Sequence, residues 1–438
     1  MSDITPIPEG LAAQAATIGG PTGTLSTDQI EAHILASLAE IDFDGKSVAL
    51  VVPDGTRSVP MAKLLPAIHR ALDGRASKVT VLIALGTHAA MSEEAQARMF
   101  GFEPNHSQAT YPGWEFLNHE WWKGEEVFAD LGTISAQEVT AYSGGRLVDV
   151  PMRVLVNRIV VESDVSLVVG PVLPHEVVGI SGGNKYFFPG LSGHDVIDLS
   201  HWVGALISSY EIIGARGITP VRALINAATE RIPGPKYCVA VVTEAGTPEL
   251  HSVSVGTTDA AWAAASEIAA ASHITYLAEP VKRMVAVLPT MYEDMWTGAK
   301  GFYKAEPCIA DGGEVIIYAP HIDTVSHMHP NIVNLGYHNR DYYVKQWDRY
   351  KDMPWGELAH STHGRGMGTY SAEEGEKNRV TVTLCTSIPR ETVEKINLDY
   401  LDPAEFDLEA AKADPDTLVV DPAGEVLFRL EKDRPAVG

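Results

Sequence analysis

Three short runs of consecutive apolar residues stand out in the first half of the chain: Ser47 to Pro53 (SVALVVP), Lys78 to Leu85 (KVTVLIAL) and Val165 to Gly170 (VSLVVG). Unbroken apolar runs of this length predict strands buried on both faces, as in a parallel sheet covered by helices. Met61 to Gly74 (MAKLLPAIHRALDG) has its leucines and isoleucine at helical spacing and ends in a glycine stop. SEEAQARMFG predicts a further helix with Ser92 as its N-cap. The pattern returns later in RMVAVLP (Arg283 onward) and EVIIYAP (Glu314 onward). An Ala-rich helical stretch, TTDAAWAAASEIAAAS, lies between the two blocks. Alternating strands and helices predict an α/β fold. The expected organisation is two α/β domains with largely parallel sheets and a cleft between them. Residues 1–275 would form the first and 276–404 the second, with the tail 405–438 packing back on the first.

The residues after each strand carry the chemistry. Asp54 and Arg57 follow the first run, His88 the second, and His175 the third. Tyr292, Trp296, Thr297 and Lys300 follow the strand of the second block. Ligands of open α/β sheets bind beyond the carboxyl ends of strands, so this repeated placement predicts a shared site. Between Pro174 and Gly193 the chain reads PHEVVGISGGNKYFFPGLSG, dense in glycine with a single lysine, Lys185. Glycines such as Gly182 and Gly183 let a backbone approach a ligand closely. The GxxxxGK[ST] and GxGxxG spacings are absent, so neither a P-loop nor a Rossmann dinucleotide site is predicted.

The chain has 438 residues and a formal net charge of −24, with 45% hydrophobic and 21% charged residues. That is a globular composition of two or three domains. The charge repels phosphate backbones and anionic membranes, so neither nucleic acid nor membrane is expected as a partner. An anionic ligand must then be gripped by a few local cations. The three cysteines, Cys238, Cys308 and Cys385, are too scattered for a disulfide framework or a metal knuckle. The start, MSDITPIPEG, reads as no signal peptide, and no apolar run is long enough to span a bilayer. A cytoplasmic protein is the expectation.

HEVVGISGGNKYFFPG, with DGTR after the first strand and GTH after the second, resembles the motif set of the nickel-pincer lactate racemase family. The resemblance runs from about residue 45 to about residue 325 and keeps the motif order. It implies an isomerase that racemises or epimerises a 2-hydroxy acid. The implied cofactor is the nickel-pincer nucleotide, a pyridinium-3-thioamide-5-thiocarboxylic acid mononucleotide holding Ni. It also implies maturation enzymes that make that cofactor. Residue by residue, Lys185 matches the lysine that tethers the cofactor, covalently in some members. His201, sixteen residues on, matches the nickel ligand, with His194 in LSGHD as its rival. His88 and His175 match the catalytic acid–base pair. Asp54, Thr56 and Arg57, with Ser181, Gly182 and Gly183, match the cofactor-binding segments. Asp54 would orient an imidazole or bind the ribose. Arg57, Lys300, Tyr292, Trp296 and Thr297 match the substrate wall. Trp296 and Thr297 stand where lactate racemase has Tyr and Gln, which points to a substrate larger than lactate.

Two substrate subclasses and one other class of enzyme stay open. Polar groups around the second-domain loop suit a sugar acid of gluconate type, and Trp296 suits an aliphatic or aryl chain. His321, His327, His329, His338, His360 and His363 form a histidine-rich stretch that a metal-dependent hydrolase would use. A non-catalytic carrier of the cofactor would need Lys185 and His201 but not two acid–base histidines.

Overall fold

A computed structural model describes residues 4–86 and 88–434. Thr87 of the GTH motif lies outside them.

The first sheet has seven strands. They are β1 (Ala16–Gly19), β2 (Ser47–Pro53), β3 (Lys78–Ala84), β4 (Trp114–Asn118), β5 (Val165–Pro171), β6 (Lys236–Thr243) and β7 (Leu250–Thr257). Their order is β1-β7-β6-β5-β2-β3-β4. β6, β5, β2, β3 and β4 run parallel, and β1 and β7 complete one side antiparallel. Every residue of β5, and β2 from Val48 onward, is buried. Helix α1 (Thr27–Ala39) starts on a Ser26–Gln29 capping box. α2 (Met61–Leu72) buries Leu64, Leu65 and Ile68. α3 (Glu93–Phe100) has the Ser92 cap the sequence predicts, its side chain accepting from Ala95 N.

The chain walks outward from β2 through β3 to β4, then returns to the other side of β2 as β5. The switch point therefore lies between β2 and β5, where open α/β sheets leave a crevice at the strand ends. DGTR leaves β2 there. The hairpin Pro174–His175 with Gly179–Ile180 follows β5 at the same place. The longer helices of the rest of this part are α4 (His194–Ile207), α5 (Pro220–Thr229) and the Ala-rich α6 (Thr258–His273).

β8 (Ile274–Leu277) opens the second part. The strands β9 (Val281–Val287), β10 (Ile309–Ala319), β11 (Thr381–Thr386), β12 (Asp399–Tyr400) and β13 (Thr417–Val420) form an all-parallel sheet in the order β12-β11-β10-β9-β13. Its switch point lies beside β9, and Tyr292 to Lys300 leave the end of that strand. Helix α7 (Trp355–Arg365) packs on α4 of the first part. The tail supplies β13 as an edge strand, and its last strand β14 (Leu427–Leu430) pairs with β8. Arg429 of β14 also donates to Ile213 O at 2.9 Å, fastening the tail to the first part. Among the described residues no helix is long and apolar enough to cross a membrane.

Candidate active site

Both switch points open on one cavity of about 650 Å³. Asp54, Arg57, His88, His175, Ser181, Gly182, Lys185, His194 and His201 line it from the first part, and Trp296, Thr297 and Lys300 from the second. Residues separated by more than two hundred positions thus meet because two strand-end edges face each other.

Asp54 is 6% exposed, and its Oδ2 lies 2.5 Å from His88 Nδ1. Its Oδ1 accepts from Thr56 N at 3.1 Å and Thr56 Oγ1 at 2.7 Å. Burial opposes the charge, but His88, Arg57 and Thr56 together hold the carboxyl well below the usual carboxylate range. An ionised Asp54 accepts the Nδ1–H of His88 and leaves His88 Nε2 as a base. His175 is 6% exposed, and its Nδ1 accepts from Val177 N at 3.1 Å, so the neutral ring carries its proton on Nε2. Burial first, then Lys185 and Arg57, push His175 well below its ordinary value. A second carboxylate, Glu176 Oε2, stands 3.2 Å from His175 Nδ1. Each histidine thus has its own carboxylate, and the neutral rings present opposite tautomers.

Burial and the neighbouring Arg57 lower Lys185 to about 7, a partly neutral amine in a cavity. Lys300 is lowered to about 7 by the same two causes. Its Nζ is buried with no hydrogen-bond partner among the described residues, and sits 4.5 Å over the Tyr292 ring. Arg57, Lys185 and Lys300 form a cationic inner end, opposed by Asp54 and Glu176. It answers the need for local cations in a chain of charge −24.

His201 and His194 are seven residues apart on one face of α4. His201 Nδ1 donates to Ile197 O at 2.6 Å, one turn back, which leaves Nε2 for the cavity. Metal-bound imidazoles are oriented by this kind of second bond. Burial lowers His201 to about 4, so it is unprotonated and free to ligate. His194 is exposed, packs edge-on against Trp121 at 5.4 Å, and makes no bond of this kind among the described residues. The donor set therefore fits a nickel-bearing nucleotide. His201 would ligate the metal, Lys185 would meet an acyl or thioacyl group, and the cations would meet a carboxylate or phosphate.

Three expected residues stand outside the cavity wall. Thr56 spends its hydroxyl and N–H on Asp54. Gly183 packs against α6, where an added Cβ would fall 2.8 Å from Trp262 Cβ. Tyr292 is 1% exposed and lies behind Lys300, lining a small side pocket with Arg57 and Lys304. Thr297 does line the cavity, but its hydroxyl donates to Asp294 Oδ1 at 2.9 Å, so its methyl is the group left for a ligand. Trp296 is clamped between the His329 ring at 4.0 Å and the His360 ring at 3.7 Å.

Sequence reasoning missed Glu176, Tyr303, Asp198 and Glu357. Glu176 adjoins His175 inside the motif and bonds Tyr303. Asp198 and Glu357 join no motif and meet only because α7 packs on α4. Of the six histidines of the histidine-rich stretch, His329, His360 and His363 line the cavity. His321 bonds Tyr292 O at 3.1 Å, and His338 pairs with Glu376 at 2.7 Å. Among the described residues no group of three or more His, Cys, Asp or Glu side chains is arranged to hold a metal ion.

Two largely parallel sheets meeting at an imidazole- and lysine-lined cavity define an α/β enzyme class with its site between lobes. Residues 29–214 match the family description "Lactate racemase N-terminal domain". A lactate racemase from Thermoanaerobacterium thermosaccharolyticum is 26% identical over 186 residues, 42% of this chain and 39% of that protein. The matched region thus spans well under half of the curated relative. A crystal structure of a protein from Thermotoga maritima is 30% identical, covers 94% of this chain and 100% of its own, and has a TM-score of 0.85. The lactate racemase apoprotein structure from Thermoanaerobacterium thermosaccharolyticum is 18% identical, covers 98% of this chain and 99% of its own, and has a TM-score of 0.69, a likeness of fold. Residues 29–214 thus carry the N-terminal domain of the lactate racemase family, and the chain as a whole shares the lactate racemase fold.

Proposed function

We propose that this chain is a cytoplasmic racemase or epimerase that inverts C2 of a 2-hydroxy acid larger than lactate. The observation that carries the reading is that His88 and His175, each with a carboxylate at Nδ1, line one cavity with Lys185 and His201. The nickel-pincer nucleotide, when bound, supplies an electrophilic acceptor for the C2 hydride. Its makers, the maturation enzymes, are the expected partners.

The chain's own residues do the rest. Arg57 and Lys300 hold the substrate carboxylate, the guanidinium by a bidentate pair. His88 Nε2 takes the hydroxyl proton of one enantiomer while Asp54 stabilises the imidazolium. Removing proton and hydride together yields a neutral ketone rather than a dianion. The keto acid then presents its other face, and His175, which enters this direction as the imidazolium, returns a proton to oxygen and is left neutral, so one inversion exchanges the protonation states of the two histidines and solvent resets them. For the opposite enantiomer His175 is the base, and Glu176 is placed to accept its Nδ1 proton once Val177 N–H gives way. No redox cosubstrate is consumed.

A second reading concerns the substrate. Asp198, Asp352 and Glu357 make the outer end of the cavity acidic, and His329, His360 and His363 stand beside them. Glu357 Oε2 and both His363 ring nitrogens are buried without hydrogen-bond partners among the described residues. Unpaired buried acceptors and donors favour a hydroxylated chain, and the carboxylates disfavour a second carboxylate on the substrate. That supports a sugar-acid 2-epimerase of gluconate type over a dicarboxylate racemase. The test is loss of stereochemical purity with single stereoisomers of lactate, phenyllactate, malate and aldonic acids. The enzyme is made alongside cofactor maturation enzymes. Inversion of at least one 2-hydroxy acid supports the reading. Nickel-loaded enzyme inert on all of them overturns it.

A further inference from the structure

The segment that carries Lys185 is held from behind. Five consecutive carbonyls, Val178 to Gly182, are each taken by a donor outside the cavity wall. Thr219 Oγ1 donates to Val178 O at 3.1 Å, and Gly214 N to Gly179 O at 2.9 Å. Arg222 Nη2 donates to Ile180 O at 2.5 Å, and Nη1 to Gly182 O at 3.0 Å. Trp262 Nε1 fills the gap between them, donating to Ser181 O at 3.0 Å. The guanidinium lies over the indole at 4.2 Å, so the two donors form one unit built from α5 and α6. Lys185 N in turn donates to Gly182 O at 3.3 Å, which ties the lysine to the clamped carbonyl.

The expense of this arrangement is informative. Arg222 is 1% exposed, and burial lowers it to about 9 against the partial help of Asp259. Taking a guanidinium out of water is costly and is repaid only where its N–H groups find good partners, as they do here on Ile180 O and Gly182 O. Gly183 fits the clamp because any side chain there would strike Trp262 and Thr258. Neither Arg222 nor Trp262 lines the cavity.

We propose that Arg222 and Trp262 are positioning residues that set the Lys185 segment, and with it the lysine amine, in place before any cofactor arrives. The proposal leans on the reading of Lys185 as the attachment point only for its purpose, because its test uses the apoprotein. A sparing amount of a small acetylating reagent is applied at pH 7, and acetylation of Lys185 is compared with that of Lys300 by peptide mass spectrometry. Lys300 shares the cavity but sits on the other lobe, so it reports general damage. A buried amine of pKa about 7 is half neutral at that pH. A hydrated lysine is neutral only about once in a thousand. Loosening the segment therefore lowers the Lys185 signal. Trp262→Phe, which keeps the stacking and loses the N–H, lowers the Lys185-to-Lys300 ratio by about fivefold, the worth of one neutral hydrogen bond. Arg222→Met lowers it further where that variant folds, and Arg222→Lys restores part of it. A folded Trp262→Phe protein with an unchanged ratio overturns the proposal. So does a parallel fall at both lysines, the mark of a structural role alone.

Discussion

Asp54→Asn tests the acid–base pair at its most constrained point. Thr56 N–H and Oγ–H both donate to Oδ1, at 3.1 and 2.7 Å, so the asparagine oxygen stays with Thr56. Its NH2 then takes the place of Oδ2 and points at His88 Nδ1, 2.5 Å away in the parent. A donor there makes Nδ1 the acceptor, moves the ring proton to Nε2, and removes the lone pair that serves as base. Loss of a charge-assisted hydrogen bond alone costs about 1.5–3 kcal/mol. At 1.4 kcal/mol per factor of ten that is about 10- to 100-fold in kcat. The tautomer reversal extends the loss toward about 10⁴-fold, as in a triad whose aspartate becomes asparagine. The assay is turnover of each enantiomer by enzyme of matched nickel content, with the fold checked by circular dichroism. A variant within about threefold of the parent in both directions refutes the assignment of Asp54 as the orienting carboxylate.

His88→Ala and His175→Ala each abolish turnover in both directions; near-parental racemisation by either defeats the two-base account. His201→Ala lowers nickel per chain, measured by metal analysis after production with the maturation enzymes, whereas His194→Ala leaves it unchanged; the reverse pattern makes His194 the ligand. Lys185→Met raises the melting temperature of the apoprotein at pH 7. The folded chain holds this amine at about 7 against about 10.5 when unfolded, so it binds fewer protons than the unfolded chain between those values, and the penalty fades as pH rises. A melting temperature that falls at pH 7, or a gap that widens toward pH 10, contradicts the burial of that charge.

β2, β3 and β5 were legible to within a residue because a strand buried on both faces leaves no polar position to break its run. β7 was not, since LHSVSVGT alternates serine with valine, yet Ser252 and Ser254 are both buried inside the sheet. β13 is four half-buried residues in an acidic tail, and only pairing with β9 makes it a strand. In the site, Asp54, His88 and His175 were legible because strand ends at a switch point converge by topology. Thr56 and Gly183 share motifs with cavity residues, but Thr56 bonds Asp54 and Gly183 packs on α6, contacts that adjacency along the chain does not show. Glu357 and His363 belong to a helix that reaches the cavity by packing on α4, and no spacing along the chain encodes that contact. Arg222 and Trp262 act through backbone carbonyls, which every residue possesses, so the sequence carries no mark of their partners.

The central claim, inversion at C2 by hydride shuttling beside two histidines, is tested most directly by isotope retention. A single stereoisomer of a turned-over 2-hydroxy acid, deuterated at C2, is incubated with holoenzyme in ordinary water, and both stereoisomers are recovered and weighed by mass spectrometry. The account predicts inverted product that keeps its C2 deuterium, while the hydroxyl proton exchanges freely. Inverted product carrying solvent hydrogen at C2 contradicts it, because the carbon would then have lost a proton rather than a hydride.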